Sequence, residues 1–256
     1  SYLTVLGDDA ISQKMAVFMR DSGIDDRFVQ VAKEQTVGLY MITLDQGERS
    51  FSYWRGQSAA KALADDLAAL DAAMDASDLI YFSGITLAIL PPKGRKALLA
   101  SAQKARAMGK IIAFDPNLRP RLWASSEEMT DTIMQAAAVS DIVLPSFEDE
   151  ADWFDDADPK ATADRYLNAG AVTVIVKNGA DPVLYAEGSS YAEVPVTAVQ
   201  TLVDTTAAGD SFNAGIFARH ATGDTLADGI AYACALSRQV VQSRGALVAF
   251  DPERIR

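Results

Sequence analysis

The residues most open to a chemical reading stand late in the chain: Asp204-Thr205-Thr206-Ala207-Ala208-Gly209-Asp210. They join an extended apolar approach, 194–203, to a stretch in which Phe212, Ile216 and Phe217 recur at helical spacing. The pattern predicts a strand, a tight turn and a helix start. Ala207, Ala208 and Gly209 carry almost no side chain, so a ligand can come close to the backbone there. The first amides of a helix lack intrahelical acceptors, and with the helix dipole they form an anion site. Asp210 is out of character in such a pocket. A carboxylate repels an anion, yet it suits a base that takes a proton from an attacking hydroxyl. The bland alternative is that Asp210 only caps the helix, a common use of Asp.

The elements that must position this turn follow from periodicity. Residues 2–6 read as a strand, and Ile11, Met15, Phe18 and Met19 have helical spacing, with Gly23 following as a C-terminal stop. Two β-rich runs, 38–44 and 49–54, flank Asp45-Gln46-Gly47 and predict a hairpin whose aromatics Tyr40, Phe51, Tyr53 and Trp54 need a covered face. From Ala59 onward short apolar strands alternate with helices. Strands are expected at 78–82, 110–114, 141–144 and 172–176, and helices at 65–74, 93–108, 127–139 and 160–168. An antiparallel pair at 182–186 and 190–194 and two helices at 209–221 and 226–243 complete the chain. Such alternation predicts a mainly parallel sheet with helices on both faces. In these sheets ligands bind beyond the carboxyl ends of the strands. Ser83, Asp115, Asn117, Arg119, Ser146, Lys177, Asn178 and the 207–210 turn are therefore expected on one edge. That set holds an anion hole, a base, cations and carboxylates but no His or Cys nucleophile, which fits phosphoryl transfer.

Composition narrows the class. A length of 256 residues with 49% apolar residues supports a sizeable core. A net charge of −12 argues against nucleic acid or an anionic membrane as partner, and an anionic substrate needs local Arg or Lys groups. The lone Cys234 and the lone His220 exclude an internal disulfide and the usual structural zinc sets. No apolar run approaches a bilayer span and no signal-peptide pattern opens the chain, so a cytoplasmic location is expected. The chain opens at Ser1 and runs straight into a strand, so further native residues are expected before it.

The 204–210 run resembles the C-terminal signature of the ribokinase-like (PfkB) carbohydrate kinases, Asp-Thr-x-Gly-Ala-Gly-Asp, with Ala207 in place of a glycine. The resemblance extends from Gly7-Asp8-Asp9 through the hairpin and the αβ alternation to Arg244-Gly245-Ala246. Gly38-Leu39-Tyr40, Tyr53-Trp54-Arg55, 79–85 and 117–123 are most similar to the 2-keto-3-deoxygluconate kinase subgroup. What this resemblance implies is a three-layer α/β/α sandwich, one kinase domain over 1–256 with a hairpin lid at about 36–56, through which a homo-oligomer can form. The implied activity is phosphorylation of 2-keto-3-deoxygluconate, a small sugar acid, to its 6-phosphate with ATP and Mg2+. A kinase of a neutral sugar such as fructose or ribose, or a catalytically silent regulator, is the alternative.

Carried onto this sequence, the resemblance makes Asp210 the base and Ala207, Ala208 and Gly209 the anion hole. Tyr40, Tyr53, Trp54, Arg55 and Arg119 become the sugar-acid contacts, the arginines gripping a carboxylate. Asn117, Ser146, Lys177, Asn178, Gly179, Ala180 and Asp181 become the nucleotide side. Cys234 stands where many relatives carry Asn beside the adenine and serves only as a wall. Glu150, with Asp149 as the alternative, is implied to hold Mg2+ through water. The N-terminal glycine- and aspartate-containing sugar-binding segment of the family has no counterpart in these residues.

Overall fold

The computed structural model of the chain describes residues 1–45 and 48–251, and it divides into two compact units. The first comprises Ser1–Ala113 and Arg119–Ser140. It opens with β1 (Thr4–Gly7), α1 (Ala10–Asp21) and β2 (Val29–Ala32), the two strands pairing in parallel. Helix α1 starts where it does because the Asp9 carboxylate accepts the amides of Ile11 and Ser12 and the Ser12 hydroxyl. Those bonds hold the Asp9 carboxyl down at about 2. The helical spacing of Ile11, Met15, Phe18 and Met19 is present, but these residues do not share one buried face. Ile11 and Phe18 are about half exposed, at 51% and 50%, whereas Met19 is 4% exposed. The helix turns Ser12 and Met19 inward instead, with the Gly7 amide donating to the Ser12 hydroxyl.

The hairpin consists of β3 (Leu39–Asp45) and β4 (Glu48–Trp54), antiparallel, with Leu39 opposite Trp54 and Asp45 opposite Glu48. Its turn residues Gln46 and Gly47 and the Phe51 side chain lie outside the described residues. Gly38 lets the base of the hairpin close, since a Cβ there would lie 2.9 Å from the Cβ of Arg55. A 3-10 turn at Ala59–Ala62, α2 (Leu67–Asp75), β5 (Leu79–Ser83), α3 (Gly84–Ile89), α4 (Pro92–Ala107), β6 (Ile111–Asp115) and α5 (Ser126–Ala138) follow. The Ser125 hydroxyl caps α5 by accepting the Glu128 amide.

The second unit comprises Phe114–Leu118 and the chain from Asp141 onward, so β6 contributes its last two residues to it. It carries β7 (Ile142–Val143), α6 (Phe147–Phe154), α7 (Pro159–Ala169), β8 (Thr173–Val176), β9 (Val183–Glu187), β10 (Ser190–Val194), α8 (Ala208–Ala221) and α9 (Leu226–Val240). The hydrogen-bonded strand order is β10-β9-β8-β7-β6-β5, with β7 and β8 parallel and β9 antiparallel to both β8 and β10. Leu144, Ile175, Val183, Val194, Phe212, Ile216, Ile230 and Ala233 form the core on which α8 and α9 rest. The helices cross closely because Gly215 has no side chain: a Cβ would meet Ala233 Cα at 2.7 Å.

The strand expected before the glycine-poor turn is absent. β10 ends at Val194, and 195–207 is irregular. Pro195 has no amide to donate to a ladder. The Val203 and Asp204 amides instead both donate to the Val241 carbonyl after α9, at 2.9 and 3.1 Å. No helix among the described residues is long and apolar enough to cross a membrane.

Candidate active site

Helix α8 begins at Ala208, and its cap residue is Ala207, with φ 61° and ψ 16° and no side-chain cap. Asp210 therefore does not cap the helix. It lies exposed in the first turn, and among the described residues its carboxylate has no hydrogen-bond or ion-pair partner. The turn is held by Asp204 instead. One of its oxygens accepts the Thr206 amide at 2.9 Å and the Thr206 hydroxyl at 2.6 Å, and the other accepts the Gly245 amide at 2.8 Å. With Asp204 fixed, the Ala208 amide donates to the Thr205 carbonyl and the Ser211 amide to the Ala207 carbonyl. The amides of Ala207, Gly209 and Asp210 are left without a backbone acceptor among the described residues. These are the donors an anion would meet. Ala207 sits in the left-handed region that favours glycine, at a cost of about 1 kcal/mol for a residue with a Cβ.

Lys177 follows β8 directly. Its amide donates to the Pro145 carbonyl and its carbonyl accepts the Phe147 amide, which locks the backbone beside Ser146. The side chain reaches Asp115 Oδ2 at 3.3 Å and Asn213 Oδ1 at 3.4 Å. Asn213 Nδ2 donates to the same Asp115 oxygen at 2.7 Å. A Cβ built on Gly209 would lie 3.7 Å from Lys177 Nζ, so the ammonium stands at the open amides. Asp115 and Asn213 are buried, at 3% and 1% exposure. Sequence reasoning left Asn213 unassigned. Its signal is a polar residue three positions after Asp210, on the same helical face, within an otherwise apolar stretch.

Asn178, Gly179, Ala180 and Asp181 form a tight turn, closed by the Asp181 amide on the Asn178 carbonyl at 2.9 Å, with Gly179 at φ 60°. Asn117 is half-buried and left-handed at φ 35°. The Ser146 hydroxyl does not cap α6. Cys234, on α9, is half-buried among the core apolar side chains, and burial pushes its thiol up to about 11.

On α6, Glu148 is exposed, Asp149 half-buried and Glu150 fully enclosed. Glu150 Oε2 accepts Arg165 Nη2 at 2.7 Å and the Tyr166 hydroxyl at 2.9 Å, while Arg165 also binds Asp156 at 2.6 Å. Its other oxygen, Oε1, has no hydrogen-bond partner among the described residues. Burial pushes the Glu150 carboxyl up to about 7 against the pull of Arg165 and Tyr166. A carboxylate so enclosed does not face the solvent from which a hydrated ion arrives. Asp149 keeps part of its surface open on the same turn.

The sugar-acid candidates all belong to the first unit. Tyr40 and Tyr53 are cross-strand partners with ring centroids 6.2 Å apart, and the Arg55 guanidinium lies 4.3 Å from the Tyr53 centroid. These three form one cluster. Trp54, 57% exposed, is one residue on and so falls on the opposite face of the ribbon. Arg119 is exposed, in a left-handed conformation at φ 48°.

Comparison with known proteins accounts for this arrangement. Residues 1–253 match the pfkB family of carbohydrate kinases. A 2-dehydro-3-deoxygluconokinase of Escherichia coli strain K12 is 37% identical over 253 residues, covering 96% of this chain and 82% of that protein. Among solved structures, a PfkB protein of Polaromonas sp. JS666 superposes with a TM-score of 0.82 at 27% identity, over 94% of this chain and 79% of that one. A fructokinase of Xylella fastidiosa with bound ATP has the same TM-score of 0.82 at 23% identity, over 96% and 80%, a likeness of fold. The fold is thus the ribokinase-like α/β fold, and the chain belongs to the pfkB family of carbohydrate kinases.

Proposed function

We propose that the protein transfers the γ-phosphoryl group of ATP to a hydroxyl of 2-keto-3-deoxygluconate, the 2-dehydro-3-deoxygluconate of its E. coli relative's name, giving the 6-phosphate. The observation that carries this reading is an exposed, unpartnered carboxylate at Asp210 beside three unclaimed amides and the Lys177 ammonium. In the transfer, the substrate hydroxyl oxygen bonds to the γ-phosphorus. The bond to the β–γ bridging oxygen breaks, and ADP leaves with that electron pair. Asp210 receives the hydroxyl proton. The Ala207, Gly209 and Asp210 amides donate to the oxygens of the transferring group, where fixed donors are worth most because charge builds up in the transition state.

The nucleotide side rests on Asn117, Ser146 and the 178–181 turn, with Cys234 as a wall, while the Lys177 ammonium stands at the amide pocket. No cluster of three His, Cys, Asp or Glu side chains that could hold a metal ion exists among the described residues. The donor set therefore fits a Mg2+ ion carried by the nucleotide phosphates and reached by one carboxylate through water. Asp149, partly open on the first turn of α6, suits that task better than Glu150. When bound, the ion neutralises charge between the phosphates. Arg119 and Arg55 supply the cations a sugar carboxylate requires in a protein of net charge −12, with Tyr40 and Tyr53 flanking the sugar.

The test is an ADP-release assay with ATP and Mg2+ over 2-keto-3-deoxygluconate, gluconate, fructose and ribose, with the product mass measured. The sugar acid is expected to turn over fastest. A neutral sugar with the higher kcat/KM makes this a neutral-sugar kinase, and no turnover of any sugar makes it a binding protein.

A further inference from the structure

The Asp115–Lys177–Asn213 cluster has two kinds of contact in it. The Asn213 amide to Asp115 carboxylate bond is short, 2.7 Å, and both partners are buried. The two bonds to Lys177 are long, 3.3 and 3.4 Å, and the lysine side chain is still 12% exposed. An ammonium has three donors. Two point back to the buried pair, and the third remains for a group above Gly209, whose Cβ position is 3.7 Å away. Asp115 comes from the end of β6, Lys177 from the end of β8 and Asn213 from α8. Asn213 lies on the helix that also carries Asp210 and whose first turn presents the open amides. One rigid helix thus sets the base, the amides and the brace behind the cation together.

We propose that Asn213 is a positioning residue for phosphoryl transfer: with Asp115 it braces the Lys177 ammonium against the Gly209 end of the amide pocket, so that Lys177 acts on the charge of the transferring group rather than anchoring the nucleotide. The proposal rests on the kinase reading above. Its physical basis is that a flexible four-carbon side chain must otherwise lose its freedom during the reaction, whereas a braced cation meets the developing charge already in place. Asn suits the brace because its amide donates to Asp115 while its carbonyl accepts from Lys177. No charged residue does both.

The experiment is a double-mutant cycle on the full chain, using Asn213→Leu and Lys177→Met alone and together, read as kcat and KM for ATP in the ADP-release assay. Asn213→Leu is expected to lower kcat about 10- to 100-fold, below the 10²–10³-fold that losing a direct transition-state donor costs. KM for ATP should stay within about twofold, a split that marks an interaction made only in the transition state. The double variant should be no slower than Lys177→Met, since Asn213 acts through Lys177. If Asn213→Leu does not fold, Asn213→Ser, which keeps a hydroxyl between the same partners, enters the cycle in its place. Additive losses in the double variant, or a raised KM with kcat unchanged, overturn the proposal. A wild-type protein that releases no ADP with any sugar overturns the kinase reading itself, and this result is distinct from either.

Discussion

The residues proposed for phosphoryl transfer and those proposed to meet the sugar acid are built on different principles. In the second unit, Asp115, Lys177, Asn213 and Asp204 are buried or nearly so, and each is held by hydrogen bonds to residues distant in the chain. In the first unit, Tyr40, Tyr53 and Trp54 are half exposed or more, and ring contacts join Tyr40 to Tyr53 and Tyr53 to Arg55. The first set is fixed before any ligand arrives. The second stands on a two-stranded ribbon, a structure of marginal stability by itself. The contrast suits the proposed kinase: the groups assigned to the chemistry are preset, whereas those assigned to the substrate stand exposed on a short ribbon.

The largest effect should come from the preset side. Asp210→Asn keeps the shape of the side chain and removes the base, so kcat should fall about 10²–10⁴-fold. ATP binding, measured by calorimetry, should change little, because Asp210 has no partner whose loss would disturb the turn. Turnover near that of the wild type would remove Asp210 from the mechanism and break the comparison at its centre. On the open side, Arg119→Ala should lower kcat/KM for the sugar acid about ten- to a hundredfold. That range corresponds to one charge-assisted bond of about 1.5–3 kcal/mol. A neutral sugar should be nearly indifferent to the substitution. Equal losses for acid and neutral substrates would mean that Arg119 does not read the carboxylate.

What the sequence disclosed follows the same line. Local patterns were legible: the hairpin, the strands of the αβ alternation, and most helices to within a few residues, because side-chain period and capping are written locally. Helix α6 was announced only by its acidic start, Glu148-Asp149-Glu150, since acids favour that end of a helix, and no local period set its length. Helix α3 was hidden because it begins at Gly84, immediately after β5, where a glycine reads as a stop. For α1 the period was right, but periodicity says that a face exists and not what lies against it. At the site, Asp210 and the small residues were legible from one short run. The brace of Asn213 on Asp115 joins residues 98 positions apart, and no local pattern announces such a pair.

The preset side should also answer to pH through its buried charge. Glu150 has its folded-state carboxyl pushed up to about 7 by burial, from an ordinary value near 4.5. Between those values the unfolded chain has released this proton and the folded protein still holds it. Stability therefore falls as pH rises from about 4.5 to 7 and is level above, with an amplitude on the order of 3 kcal/mol. Glu150→Gln should remove that slope in urea unfolding followed across this range, and the slope's persistence would assign it to other groups. Arg55→Ala, on the open side, should leave the slope as it is.

The smallest expected effect concerns a strained point of the preset side. Ala207 holds φ 61° at the cap of α8, where the family signature has glycine. Ala207→Gly would relieve the Cβ crowding of the left-handed region, worth about 1–2 kcal/mol. It would also loosen the unfolded chain, which offsets about 0.4–1 kcal/mol of that gain. The net change in stability is thus expected to be a gain of between zero and about 1.6 kcal/mol, with kcat unchanged within about twofold because the amides of Gly209 and Asp210 do not move. A gain of this size in chemical unfolding, without a change in turnover, identifies Ala207 as strain that the turn tolerates. A tenfold fall in kcat would show instead that the methyl group stiffens the amide pocket, and that the preset geometry depends on it.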